Sequence, residues 1–192
     1  MVLSLGGIAR EMLAVAGRKG NHFVSLDAMG QTISVALGLA LGLENSDTTG
    51  KVLAVEGDGS LLMGLSVLST VGHLKPRRLL VYVLDNGVYL ATGGQPTAAA
   101  DIDLVTVATA CSWRGAREVR TAEELLCRAR RRIGPGPLRR LFEALAGPVG
   151  LPGQPGVFYR VLLTSDGEQA RGPGCLSTSI DQPVGAHVHE EH

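Results

Sequence analysis

Lys51 to Tyr89 reads KVLAVEGDGSLLMGLSVLSTVGHLKPRRLLVYVLDNGVY, and this stretch decides the fold. KVLAVE, Lys51 to Glu56, is a continuous apolar run of strand length, the pattern of a strand covered on both faces. It runs into the glycine-flanked acid Gly57-Asp58-Gly59. SLLMGLSVLSTVGHL, Ser60 to Leu74, then changes to helical spacing, with Ser60 expected as its N-cap. Pro76 closes the helix, and RRLLVYVL, Arg77 to Leu84, makes a second buried strand that ends at Asp85-Asn86-Gly87-Val88. Strand, helix, strand and helix in this order imply right-handed crossovers and a parallel sheet.

Upstream, Val2 to Leu5 reads as a short strand and Ile8 to Val15 as a helix, so the chain starts almost inside its first strand. GQTISVALGLALGL, Gly30 to Leu43, is apolar nearly all round and is expected as a helix buried between layers. The GxxxG spacing of Gly38 and Gly42 is read as close helix packing rather than a membrane dimer motif. ENSDTTGK, Glu44 to Lys51, is a turn. Downstream, DNGVYLATGGQPT is read as a long glycine-rich loop before a helix near Ile102 to Cys111. Ala122 to Arg132 is expected to be helical, 131–156 a Pro- and Gly-rich insertion, and Val157 to Leu163 a last strand. The expected fold is α/β, a doubly wound, mostly parallel sheet with helices on both faces. It occupies 1–165, and 166–192 is expected to be a disordered tail.

Composition narrows the function classes. At 192 residues and 45% hydrophobic content one sizeable core is the default. Basic and acidic residues cancel at eighteen each, so overall charge favours neither nucleic acid nor an anionic membrane. The longest near-apolar stretch is too short to span a bilayer and the first residues have no signal-peptide pattern, which predicts a soluble, cytoplasmic protein. Cys111, Cys127 and Cys175 are widely spaced, unlike a disulfide framework or zinc site. The terminal HVHEEH carries His187, His189 and His192, histidines without fixed metal geometry; His22 and His73 are read as packing or surface residues.

In a doubly wound sheet, ligands bind at the carboxyl ends of the strands, where Gly57-Asp58-Gly59-Ser60 and Asp85-Asn86-Gly87-Val88 both fall. Glycines let backbone amides approach an anion, and a helix start favours phosphate. A phosphate alone does not need the Asp58 carboxylate, which therefore points to a bridging cation. Magnesium takes hard oxygen ligands, commonly one or two side chains together with phosphate oxygens and water. Asp58, the Asn86 amide oxygen and a backbone carbonyl just beyond Asn86 match that demand. The interval from Asp58 to Asn86 is one helix plus one strand, the length that returns the two loops side by side.

GDGS followed at that interval by Asn resembles the thiamine diphosphate motif of the decarboxylase superfamily. LDAMGQTISVALGLAL (Leu26 to Leu41), VEGDGSLLMGLSVLSTVG (Val55 to Gly72) and LDNGVYLATGGQPT (Leu84 to Thr97) resemble the phosphonopyruvate and sulfopyruvate decarboxylases, and Tyr89 leans toward the sulfopyruvate type. The resemblance implies a thiamine diphosphate-binding fold of the diphosphate-binding kind. It makes Asp58, Asn86 and the Val88 carbonyl magnesium ligands, and it puts Gly57, Gly59 and Ser60 around the diphosphate. Met29 becomes the apolar wedge beneath the bent cofactor, and the Asp27 carbonyl receives its amino group. Asp85 stays a turn residue.

In such enzymes a glutamate from a pyrimidine-binding domain activates the cofactor, and Glu56 is expected to point the wrong way to replace it. The resemblance therefore implies a β-type subunit that needs an α-type, pyrimidine-domain partner in a hetero-oligomer. The implied reaction converts sulfopyruvate or phosphonopyruvate to the aldehyde and carbon dioxide, the cofactor acting as electron sink. No catalytic residue is assigned with certainty to this chain. Ile8 and Ala9 stand where the family usually carries hydroxyls near the diphosphate, which keeps open a non-catalytic regulatory or assembly subunit with a degenerate site. A generic nucleotide-binding domain is disfavoured, since both GxGxxG and the P-loop pattern are missing.

Overall fold

In the computed structural model, which describes residues 1–26, 28–121 and 124–125, four strands form one parallel sheet. They are β1 (Val2–Leu3), β2 (Phe23–Val24), β3 (Val52–Gly57) and β4 (Leu79–Leu84), in the order β2-β1-β3-β4. All six residues of β3 pair with β4, from Val52 with Leu79 to Gly57 with Leu84. β3 and β4 are buried and, but for Glu56, almost wholly apolar, because both sheet faces are covered there. Val52, Ala54, Leu79, Val81 and Val83 face a core built with α2 (Thr32–Glu44), α4 (Val67–Leu74) and α5 (Leu104–Ala110). Leu53, Val55, Leu80, Tyr82 and Leu84 face the opposite core, with Met12 of α1 (Gly7–Ala16) and Val119.

The connection from β1 to β2 runs through α1 on one face, and that from β2 to β3 through α2 on the other. The chain thus reverses its winding at β1, and a crevice opens where the loops after β1 and β3 diverge. β2 had no expectation in the sequence; it pairs Phe23 and Val24 with Val2 and Leu3. The expected first strand is real but ends at Leu3, and it lies inside the sheet.

Three sequence expectations need correction. The helix foreseen over Ser60 to Leu74 is two helices, α3 (Asp58–Met63) and α4, because Gly64 lies backbone to backbone against Gly30. Ser60 is not an N-cap: α3 begins at Asp58 after Gly57, and the Ser60 hydroxyl instead accepts the Gly30 N–H at 2.9 Å. Gly38 and Gly42 make no close helix contact among the described residues; they lie on the exposed side of α2, beside exposed Leu39, while Ile33, Ala36, Leu37 and Ala40 form its buried face.

The stretch after Asn86 is more ordered than a loop. β5 (Val88–Tyr89) and β6 (Gln95–Pro96) form an antiparallel hairpin closed through Gly93 and Gly94, both at positive φ. Asp103 caps α5 by accepting the Val105 and Thr106 N–H groups. Trp113 closes α5 onto α4 by donating its indole N–H to the Leu68 carbonyl at 2.7 Å. Of the helix foreseen at Ala122 to Arg132 only Glu124 and Leu125 are described, and they are helical; the 131–156 insertion, the strand Val157 to Leu163, the tail, Cys127, Cys175 and the terminal histidines lie outside the described residues.

Candidate cofactor site

The reversal at β1 produces one cleft of about 550 Å³ at the carboxyl ends of the strands. Its floor is Gly57, Asp58, Gly59 and Ser60, its sides are Ser4 to Ile8 after β1, and Asn86, Val88 and Tyr89 close it from beyond β4. Met29, Arg10 and Glu11 also line it. Met29, Gly57, Asp58, Gly59, Ser60, Asn86 and Val88, picked from the sequence, therefore meet at one place, whereas Asp27 lies outside the described residues.

Asp58 is only 2% exposed, and its carboxylate is held from two sides. Thr97 donates its hydroxyl to Oδ2 at 2.6 Å, and the Asn86 N–H points at Oδ1 from 3.5 Å. Asn86 in turn accepts the Val88 N–H on its side-chain oxygen at 3.1 Å, a turn that fixes the amide beside Asp58. Asp85 accepts the Gly87 N–H at 3.0 Å and so serves the turn, as the sequence implied. A carboxylate, an amide oxygen and the polypeptide carbonyls around them form a hard-oxygen donor set, which fits a divalent cation shared with phosphate. Among the described residues no three His, Cys, Asp or Glu side chains cluster, so a cation here would take the Asp58 carboxylate together with amide, carbonyl and ligand oxygens.

The glycines of the floor have separate roles. A Cβ at Gly59 would lie 2.3 Å from the Tyr89 ring, so the missing side chain is what lets the β5 tyrosine cover the floor. A Cβ at Gly57 would meet only the Ile8 side chain, at 3.7 Å. Ile8 thus presents hydrocarbon to the cleft.

Glu56 is fully buried beneath the floor, on the α2 side, and does not line the cleft. Burial raises its pKa, and the surrounding Ser4, Ser60 and Thr32 hydroxyls and the Gly57 N–H oppose that rise without cancelling it. Its Oε1 accepts the Gly57 N–H at 3.3 Å, while Oε2 and the Thr32 hydroxyl have no partner within bonding distance. Glu11, at the mouth, also has a raised pKa through burial, partly offset by Arg10.

Sequence reasoning missed Thr97, Arg10 and Ser4. For Thr97 the signal was the hairpin: TGGQ is a turn that sends the chain back toward Asn86, and the Thr97 N–H bonds the Gly87 carbonyl at 2.8 Å.

Residues 11–136 match the model of the thiamine pyrophosphate enzyme, C-terminal TPP binding domain. The chain belongs to that family. This TPP-binding domain is 40% identical over 125 residues to phosphonopyruvate decarboxylase of Streptomyces viridochromogenes, covering 65% of the chain and 30% of the relative. It is 37% identical over 112 residues to sulfopyruvate decarboxylase subunit beta of Methanocaldococcus jannaschii, covering 58% and 56%. It is 37% identical over 125 residues to the subunit of the same name in Methanothermobacter thermautotrophicus, covering 65% and 63%. The match thus spans less than two thirds of each of these relatives. Among the described residues no helix is long and apolar enough to cross a membrane.

Proposed function

We propose that this TPP-binding domain is the diphosphate-binding, β-type subunit of a decarboxylase acting on sulfopyruvate or phosphonopyruvate. The observation that carries the reading is the meeting of the Asp58 and Asn86 loops on one cleft with Met29, Val88 and Ser60. The names of its relatives supply the reaction class and, through the beta subunits, the expectation of a second chain.

In this reading Asp58, Asn86 and the Val88 carbonyl hold Mg2+, Gly57, Gly59 and Ser60 surround the diphosphate, Met29 supports the bend of the cofactor, and the Asp27 carbonyl receives its amino group. When bound, thiamine diphosphate supplies the electron sink for loss of carbon dioxide from the 2-oxo acid. This chain's residues bind and orient. Thr97 and the Asn86 N–H restrain the Asp58 carboxylate, and the apolar wall of Ile8, Leu84 and Leu90 limits water at the cleft. A pyrimidine-domain partner contributes the activating glutamate, a role that buried Glu56 cannot take because it lies outside the cleft. The domain is assigned to 1–165 and the protein to the cytoplasm.

Ile8 against Gly57 favours one rival, a regulatory or assembly subunit whose site no longer binds the diphosphate. Calorimetric titration of thiamine diphosphate with Mg2+ into the chain, alone and with its pyrimidine-domain partner, separates the two. Binding that tightens with the partner and disappears in Asp58→Ala supports the decarboxylase; no binding in either setting leaves the rival.

A further inference from the structure

Arg10 has no role in the donor set above, yet it is the only Lys, Arg or His among the described residues lining the cleft. It sits in α1, four residues after Gly6, and its N–H bonds the Gly6 carbonyl. Helical side chains lean back toward the N-terminus of their helix, and Gly6, Gly7 and Ile8 at the start of α1 border the same cleft that Arg10 lines. Arg10 is exposed, and its charge is available there.

We infer that Arg10 binds the terminal phosphate of the cofactor, supplying the anion contact that Ile8 and Ala9 cannot. The inference rests on the proposed cofactor site and names a residue for it. Charge supports it. A diphosphate carries more negative charge than one divalent cation cancels, and the Asp58 carboxylate adds to the excess. Gly7 and Ile8 have no side-chain hydrogen bond available to a phosphate, and the helix start carries no side-chain cap. A guanidinium offers donors in a planar fork that matches phosphate oxygens.

The test compares thiamine diphosphate with thiamine monophosphate, each with Mg2+, by calorimetry on the full chain with its partner. Arg10→Ala is expected to weaken the diphosphate by about ten- to a hundredfold while leaving the monophosphate nearly unchanged, with Arg10→Lys between. Circular dichroism checks that the exposed substitution leaves the fold intact. Equal loss for both ligands, or loss for neither, overturns the assignment. Failure of the unaltered chain to bind thiamine diphosphate at all would sink the parent reading, and this one with it.

Discussion

Thr97 shows how a single hydroxyl bears on the site. It bonds Asp58 Oδ2 at 2.6 Å and is itself buried, so Thr97→Val removes one restraint on the carboxylate without opening a cavity. Mg2+-dependent affinity for thiamine diphosphate should fall about fivefold, the effect of one hydrogen bond, and the thermal midpoint should drop as well, because the Thr97 hydroxyl also accepts the Ala99 N–H at 3.3 Å. Glu56 yields a prediction of different sign. Its folded pKa is raised, so the stability tied to its protonated form is complete below the ordinary carboxylate range and is lost as pH rises through the folded value. Glu56→Gln keeps the shape and removes the titration. In urea melts without Mg2+, the variant should gain on the parent as pH rises above the ordinary carboxylate range; a constant difference would refute the reading. Of these residues the sequence disclosed Asp58 and Asn86, because a glycine-flanked acid and an Asx turn declare themselves locally. Thr97 and the depth of Glu56 depend on which chain segments return to the floor, which no local pattern states.

Elements were legible where their periodicity is strong. β3, β4, α1 and α5 stand within a few residues of their expected places. The break between α3 and α4 was hidden because SLLMGLSVLSTVG keeps apolar spacing across it; the cause is the contact of Gly64 with Gly30, a residue far away in sequence. β2 was hidden because two residues carry no period, and β1 supplies the partner that makes them a strand. Gly72 is the position where one element tolerates nothing more than hydrogen. A Cβ there would stand 1.5 Å from the Cys111 carbonyl oxygen at the end of α5. Gly72→Ala should force α4 and α5 apart and lower stability by about 1–3 kcal/mol, measured by denaturant unfolding. A neutral result would mean that the two helices slide freely.

For the molecule as a whole, the parallel sheet divides the interior into two layers. Ile33 belongs to one and Met12 to the other. Ile33→Val should cost about 1 kcal/mol and Met12→Ala about 2–5 kcal/mol, and the double variant should show their sum, since the sheet separates the two sites. Strong coupling in urea unfolding would contradict that division. The α/β class and the reversal of winding could be anticipated from two buried strands joined by a helix, but the strand order required the pairing of β1 on both sides. That pairing bears on biosynthesis. Val2 and Leu3 are made before the rest of the sheet, yet one of their two neighbours in it, Ala54 and Val55, is made some fifty residues later. At translation rates of about 5–20 residues per second, the middle strand waits several seconds for that neighbour. The centre of this domain is therefore the last part of its early sequence to be sheltered, and a nascent chain paused before β3 would offer its first strand to chaperones rather than to the sheet.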